Sequence, residues 1–274
     1  MLFREVAMGK AIRWGAAAVL LATALSCCRF PLSQEGRYRR EMTCAERISD
    51  EKSIEILKKG AFCCEPLPPS VTSLPAARRF YYERALALKP REAAPLLGLG
   101  RAMWEEGDYR GGLEAYKKAQ GLLERPIYAQ IGAFTMLRLL RRFDEGRALA
   151  ERIREEKGVD GAKVAEYLLG RLEYDAGNFG AAEGHLRAAL ERAARGGYGL
   201  GGTPFSMKDA HLYLALVLQK KGDAEGAYRE FLLFHKKMSD PEYQIFYAYW
   251  LPRLEKDQGA LLEKIETEWA HLRQ

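Results

Sequence analysis

Along Ala93–Pro126 the apolar positions form two helical stripes broken once. Leu96, Leu99, Gly100 and Met103 recur at i, i+3, i+4 and i+7, which places them on one face of a helix. Gly107-Asp108 interrupts the pattern, and Leu113, Tyr116 and Ala119 resume it. The stretch therefore predicts two helices joined by a tight turn. Gly100 and Gly112 are expected where the helices cross, because a residue without a side chain lets two backbones approach.

The pattern recurs down the chain. A second stretch opens at Ile127, with its turn at Arg141-Arg142-Phe143 and with Gly146 and Ala150 on its second helix. Phe134 stands where Gly100 stood, and the facing Gly146 is expected to make room for it. A third opens at Lys163, with Leu169-Gly170, Gly177-Asn178-Phe179, Ala182, Leu186 and Ala189, and a fourth at Lys208, with Leu214-Ala215, Gly222-Asp223-Ala224, Ala227 and Phe231. Upstream, Ala76–Pro90 supplies only a second helix, and the proline-rich Pro66–Pro75 takes most of its partner's place. A unit of about 34 residues with small and aromatic residues at these places resembles the tetratricopeptide repeat. The resemblance covers about residues 76–240. It implies an all-α chain, an α-solenoid of about four helix-turn-helix units, with the array assigned to 75–240 and C-terminal capping helices to 241–274.

Those last helices open at Asp240-Pro241-Glu242, an N-cap followed by proline at the first helical position. Tyr243, Phe246, Tyr247, Tyr249 and Trp250 follow, Pro252 ends the helix, and Leu262, Ile265, Trp269 and Leu272 line another. The end of a repeat array exposes an apolar flank, so these residues are expected to cover it. Between the third and fourth units lies an insert, Arg195–Phe205. Its Gly197–Gly202 run has the formal Gly-x-Gly-x-x-Gly spacing, but a dinucleotide loop needs a strand before it, and here a helix precedes. It is read as an inter-repeat loop.

Ahead of the array, Arg4, Lys10 and Arg13 precede an apolar run, Trp14–Leu25, too short for a comfortable membrane span. The following Ser26-Cys27 resembles a bacterial lipoprotein signal, which implies a signal peptide over 1–26 and lipidation of Cys27, with Cys28 the alternative. Met8 is a second candidate start. Residues 27–74 are read as a lipid-anchored tether and cysteine-containing segment, with Arg29–Met42 polar and basic. The chain would thus be anchored to the bacterial envelope and face the periplasm.

All five cysteines of the 274-residue chain precede the array. With Cys27 lipidated, Cys44 and Cys63 are the candidate disulfide, with Cys64 as the alternative partner; either would close a loop around a short helix at Asp50–Lys59. Free thiols are the other reading. No metal is expected, since neither a Cys-x-x-Cys nor a nearby histidine is present.

The net charge of +6 is partly the leader's, and the rest is spread over a body rich in both signs, so no nucleic-acid partner is indicated. No catalytic constellation or cofactor motif occurs: the four histidines, His185, His211, His235 and His271, fall one per element, His211 at a helix-packing position, and no Gly-x-Ser-x-Gly is present. The chain is read as a non-enzyme.

The tetratricopeptide resemblance implies a concave groove lined by the first helix of each unit. Its positions here are Leu97, Arg101 and Trp104; Ile131, Thr135 and Arg138; Tyr167, Arg171 and Tyr174; and Leu212, Leu216 and Gln219. An apolar and aromatic strip interrupted by arginines suits a segment carrying carboxylates. The family's Lys/Asn clamp for a C-terminal carboxylate is replaced by Leu97 and Arg101. The expected partner is another envelope protein or a peptide segment, with the membrane engaged through the N-terminal lipid. On this reading charge reversal at Arg101 or Arg171 abolishes binding without loss of stability. The alternative is a transporter-accessory lipoprotein that binds a small apolar ligand and a substrate-binding subunit.

Overall fold

The computed structural model describes residues 33–49, 51–59, 64–155, 159–199 and 207–237. The leader with Cys27 and Cys28, Cys63, most of the glycine-rich insert and the C-terminal aromatic helices lie outside the described residues. Among the described residues the regular structure is eleven α-helices: α1 Gln34–Glu46, α2 Glu51–Lys58, α3 Leu74–Leu88, α4 Ala93–Glu106, α5 Tyr109–Gln120, α6 Ile127–Leu139, α7 Phe143–Glu155, α8 Val159–Asp175, α9 Phe179–Gly196, α10 Ala210–Lys221 and α11 Ala224–Lys237. None of these is long and apolar enough to cross a membrane. The chain divides into two compact units, Met1–Ala129 and Gln130–Gln274.

From α4 onward the helices pair as antiparallel helix-turn-helix hairpins. The turn chemistry explains why. After α4, Gly107 adopts φ 83° and its N–H bonds back to Met103 and Trp104, a left-handed end that glycine takes at no steric cost. Asp108 then caps α5, its carboxylate accepting from the Gly111 N–H at 2.9 Å. Gly222-Asp223 repeats the device before α11. Between α6 and α7 the left-handed residue is Arg141, with φ 56°. There the local backbone cost is accepted without glycine.

Close approach accounts for the small residues. A Cβ on Gly100 would lie 2.8 Å from the Tyr116 ring, and one on Gly170 would lie 2.6 Å from Leu186 Cγ. Gly112 is buried on the facing helix. The second hairpin moves the bulk across: its first helix carries buried Phe134, and its second carries buried Ala150 at the place of Tyr116. Gly146 does face Phe134, since a Cβ there would lie 3.7 Å from the ring, but its tight neighbour is Leu172 of α8, at 2.5 Å. That glycine chiefly admits the next hairpin.

The N-terminal segment differs from the tether expected of it. Gln34–Glu46 is helical, capped by Ser33, whose hydroxyl accepts from the Gly36 N–H at 3.1 Å. It runs antiparallel to α3 and takes the place of the missing partner helix. At one end Glu35 pairs with Lys89, whose ammonium also sits 4.7 Å from the centre of the Tyr38 ring. At the other, Arg78 of α3 donates to the Ile48 carbonyl at 2.8 and 3.1 Å. The short helix α2 follows where it was expected. A core of Ile48, Ile54, Leu57, Leu67, Ala77 and Tyr81 closes around the Cys44–Cys64 disulfide. The pairing corrects the first choice, Cys63, in favour of its neighbour. The reason is orientation: Cys64 is buried in this core beside Leu67, and Tyr81 fixes the adjoining backbone by donating to the Glu65 carbonyl at 2.7 Å. Burial pushes the Tyr81 phenol up to about 12.

Candidate partner-binding positions on the first helices

The groove positions fall in both units, and each unit has its own environment. In the first, Leu97, Arg101 and Trp104 lie on α4 at i, i+4 and i+7, so they share a face. Leu97 is half-buried against the cluster of Leu96, Ala119 and Ala129, and Trp104 is half-buried. The Arg101 side chain is 57% exposed, with Nε donating to Glu105 at 3.2 Å. The Glu105 side chain is 1% exposed and accepts from Arg78 at 2.9 Å, so α4 is tied to α3 directly beneath this face.

In the second unit the same positions turn inward. Ile131 is half-buried, and the Thr135 hydroxyl donates to the Ile131 carbonyl at 2.9 Å. Arg138 is paired with Asp175 of α8. Tyr167 is 1% exposed, and its hydroxyl donates to the Asp209 carboxylate at 2.7 Å. Arg171 donates to the Tyr167 hydroxyl at 3.0 Å and to the Tyr213 hydroxyl at 3.1 Å. Its guanidinium stands 5.4 Å from the centre of the Tyr167 ring and 4.7 Å from that of Tyr213. Tyr174 meets the Tyr213 ring edge-on at 6.0 Å. Leu212 and Leu216 are buried, and Gln219 is half-buried.

These contacts form a polar seam across α6, α8 and α10: Arg138, Asp175, Arg171, Tyr167, Asp209 and Tyr213. Its two cations face two carboxylates, so it is neutral by itself. Burial opposes the charge on Arg171. The oxygens of Tyr167 and Tyr213 and the carboxylates of Asp209 and Asp175 outweigh that penalty and hold its pKa well above the ordinary arginine value. Burial likewise holds the Tyr167 phenol well above its ordinary value. Arg101 and Arg171 occupy one repeat position, yet the first lies at the surface and the second cross-links neighbouring first helices. Charge reversal at Arg171 therefore reaches folding as well as any surface it borders.

Other polar groups are spent on architecture. Lys163, 1% exposed, donates to the carbonyls of Gly197 and Gly199 at 2.9 and 3.0 Å, and the Met207 N–H donates to the Tyr198 carbonyl, so both ends of the insert are held. His211 is buried with its Nδ1 2.7 Å from Glu230 and its Nε2 3.0 Å from the Tyr198 hydroxyl. His185 pairs with Glu166 at 2.7 Å. Among the described residues no group of three or more His, Cys, Asp or Glu is arranged to hold a metal ion. Sequence reading missed Asp209, Tyr213, Lys163 and buried Glu41, which lie one or a few residues off the periodic positions.

No family model matches the chain. No curated protein matches it. Among solved structures, MamA from Desulfovibrio magneticus RS-1, residues 41 to the end, matches at 15% identity over 73% of this chain and 94% of that one, with TM-score 0.48. PilF from Pseudomonas aeruginosa matches at 13% identity over 86% and 93%, with TM-score 0.49. YrrB, described as a TPR protein with an unusual peptide-binding site, matches at 17% identity over 68% and 91%, with TM-score 0.38.

Proposed function

We propose that this chain is a non-catalytic scaffold of the bacterial envelope that holds a segment of another envelope protein against the first helices of its hairpins. The observation that carries this reading is the face of α4. Leu97 and Trp104 offer half-buried apolar surface on either side of the exposed Arg101 guanidinium. That combination suits an amphipathic segment with one carboxylate near its apolar anchors. The seam of the second unit supplies rigidity, since its charges already satisfy one another. Lipidation of Cys27 would hold the chain on the membrane, and the Cys44–Cys64 disulfide supports an oxidising compartment.

The test uses the full-length chain, affinity-purified from the envelope of its source after chemical cross-linking. One stoichiometric protein partner, lost in both Trp104→Ala and Arg101→Glu while the melting temperature holds, is the expected outcome. The same partner profile in the wild type and both variants would sink the assignment. Mass spectrometry of the mature N-terminus reads the anchor separately: an unacylated N-terminus at any residue removes it.

A further inference from the structure

The N-terminal edge of the first unit is closed by a helix that buries little apolar surface of its own. The buried residues of α1 are Glu41, Cys44 and Ala45. Two are small, and the third is a carboxylate with no exposed surface, held by Arg40 at 2.9 Å and Arg84 at 3.3 Å. A buried ion pair of this kind returns little net stability, because desolvation of the charges offsets their attraction. The links between the start of α1 and the end of α3, Glu35 with Lys89 and the Gln34 amide on the Leu88 carbonyl, lie at the exposed rim and are screened by solvent, and beyond its other end α1 is held by Arg78 on the Ile48 carbonyl and by buried Ile48 itself. By contrast α2 and the stretch after it bring Ile54, Leu57 and Leu67 into the core beside Ala77 and Tyr81. The disulfide joins α1, whose own buried residues are a carboxylate, a cysteine and an alanine, to the stretch that carries Leu67 into the core: Cys44 is on α1, and Cys64 lies three residues before Leu67.

We propose that oxidation of Cys44 and Cys64 by a thiol–disulfide oxidoreductase is the step that seats α1 on α3 and closes this edge of the protein. In the exchange one of the two thiolates attacks a sulfur of the oxidoreductase disulfide, giving a mixed disulfide. The other thiolate displaces it, so the new S–S bond forms, the two thiols lose two protons and two electrons, and the oxidoreductase leaves as a dithiol. The bond spans 20 residues of sequence. Closing a loop of that length restricts the open chain enough to favour the seated form on the order of a hundredfold. Once formed it is shielded, since Cys44 is 1% and Cys64 5% exposed, and a reductant reaches it only through local opening. The reduced chain keeps the α4–α5 hairpin, whose two helices pack on each other at Gly100 and Tyr116, but leaves the Ala77–Tyr81 face of α3 open where a preceding repeat helix would pack.

Amide exchange followed by mass spectrometry on the full-length chain tests this independently of any binding partner. Oxidised protein, protein held reduced, and the Cys44→Ala/Cys64→Ala variant are compared. Residues 34–46 should exchange on the order of a hundredfold faster in the last two, with residues 109–120 unchanged. Unchanged protection over 34–46, or equal loss over 109–120, overturns the proposal. Reduced protein incubated with a purified oxidising dithiol oxidoreductase should gain the Cys44–Cys64 linkage by peptide mapping; no linkage, or one between other cysteines, also overturns it.

Discussion

Gly170 and Gly184 offer a paired experiment on what the repeat packing demands. Both lie within helices, α8 and α9, so replacing either by alanine removes the same backbone freedom from the unfolded chain. That change alone favours the helix by about 0.5–1 kcal/mol. The surroundings differ. A Cβ on Gly184 meets nothing within 4 Å, so Gly184→Ala should keep the whole gain. A Cβ on Gly170 would lie 2.6 Å from Leu186 Cγ, 2.8 Å from its Cδ2 and 3.2 Å from its backbone nitrogen. Carbon pairs sit comfortably at about 3.5–4.0 Å, so the overlap is nearly an ångström. Leu186 is fully buried, and the clash reaches the stem of its side chain and its backbone, so a change of rotamer does not relieve it. The α8–α9 pair must part instead. Overpacking of this sort costs about 1–3 kcal/mol, which leaves Gly170→Ala between neutral and about 2 kcal/mol destabilised after the helix gain. The helix gain is common to both, so the two alanine variants should then differ by the overpacking cost, about 1–3 kcal/mol, in urea unfolding followed by far-ultraviolet circular dichroism, with Gly170→Ala melting several degrees lower, about 2–4 °C per kcal/mol. If Gly170→Ala equals or exceeds Gly184→Ala in stability, the close helix crossing is not what places glycine there.

The two arginines at one repeat position should separate cleanly. Arg171→Met takes away the buried cation that donates to the Tyr167 and Tyr213 hydroxyls and faces the Asp209 carboxylate, and should cost about 3–5 kcal/mol, whereas Arg101→Met should stay within about 1 kcal/mol. Equal urea midpoints for the pair would contradict the buried seam. Acid sensitivity should reside partly in Glu173, whose carboxyl is held below the ordinary value of 4.5 by its hydrogen bond from Arg147, with Asn178 adding to it. A depressed carboxylate stabilises the fold above its unfolded pKa and loses that contribution as pH falls through the folded one. Wild type should therefore exceed Glu173→Gln in stability at pH 7, and the gap should close on titration to below pH 4.5; a constant gap across that range would rule the ion pair out as its source.

The hairpins were legible because their signals are local and repeated. Gly107-Asp108 and Gly222-Asp223 announce turns by backbone conformation and cap chemistry alone, and the small/large exchange between Gly100 and Tyr116 recurs as Gly170 and Leu186. Even Phe134, the apparent exception, is matched by Ala150 on the facing helix. The helix α1 was hidden for the opposite reason. Its buried face consists of a carboxylate, a cysteine and an alanine, so no apolar stripe marks it, and the contacts that order it come from residues 30 or more positions away, Arg78 on the Ile48 carbonyl and Arg84 on Glu41. Period counting cannot see a helix whose stripe is supplied by its neighbours.

The same distinction governs the groove positions. Repeat register assigns Arg101 and Arg171 to one place on the first helix, and it assigned them one role. What separates them is the residue that the following hairpin brings alongside, and register does not read that. Asp209 and Tyr213 lie at the start of α10 and give Arg171 a carboxylate behind one phenol and a second phenol to stack upon. Arg101 meets Glu105 of its own helix and keeps most of its surface. A cation that is neutralised and stacked within the fold fixes how successive first helices sit, while one left at the surface beside Leu97 and Trp104 can select what approaches. On the proposed reading the partner is therefore to be sought on α4, where Arg101, paired with Glu105, keeps a 57% exposed side chain.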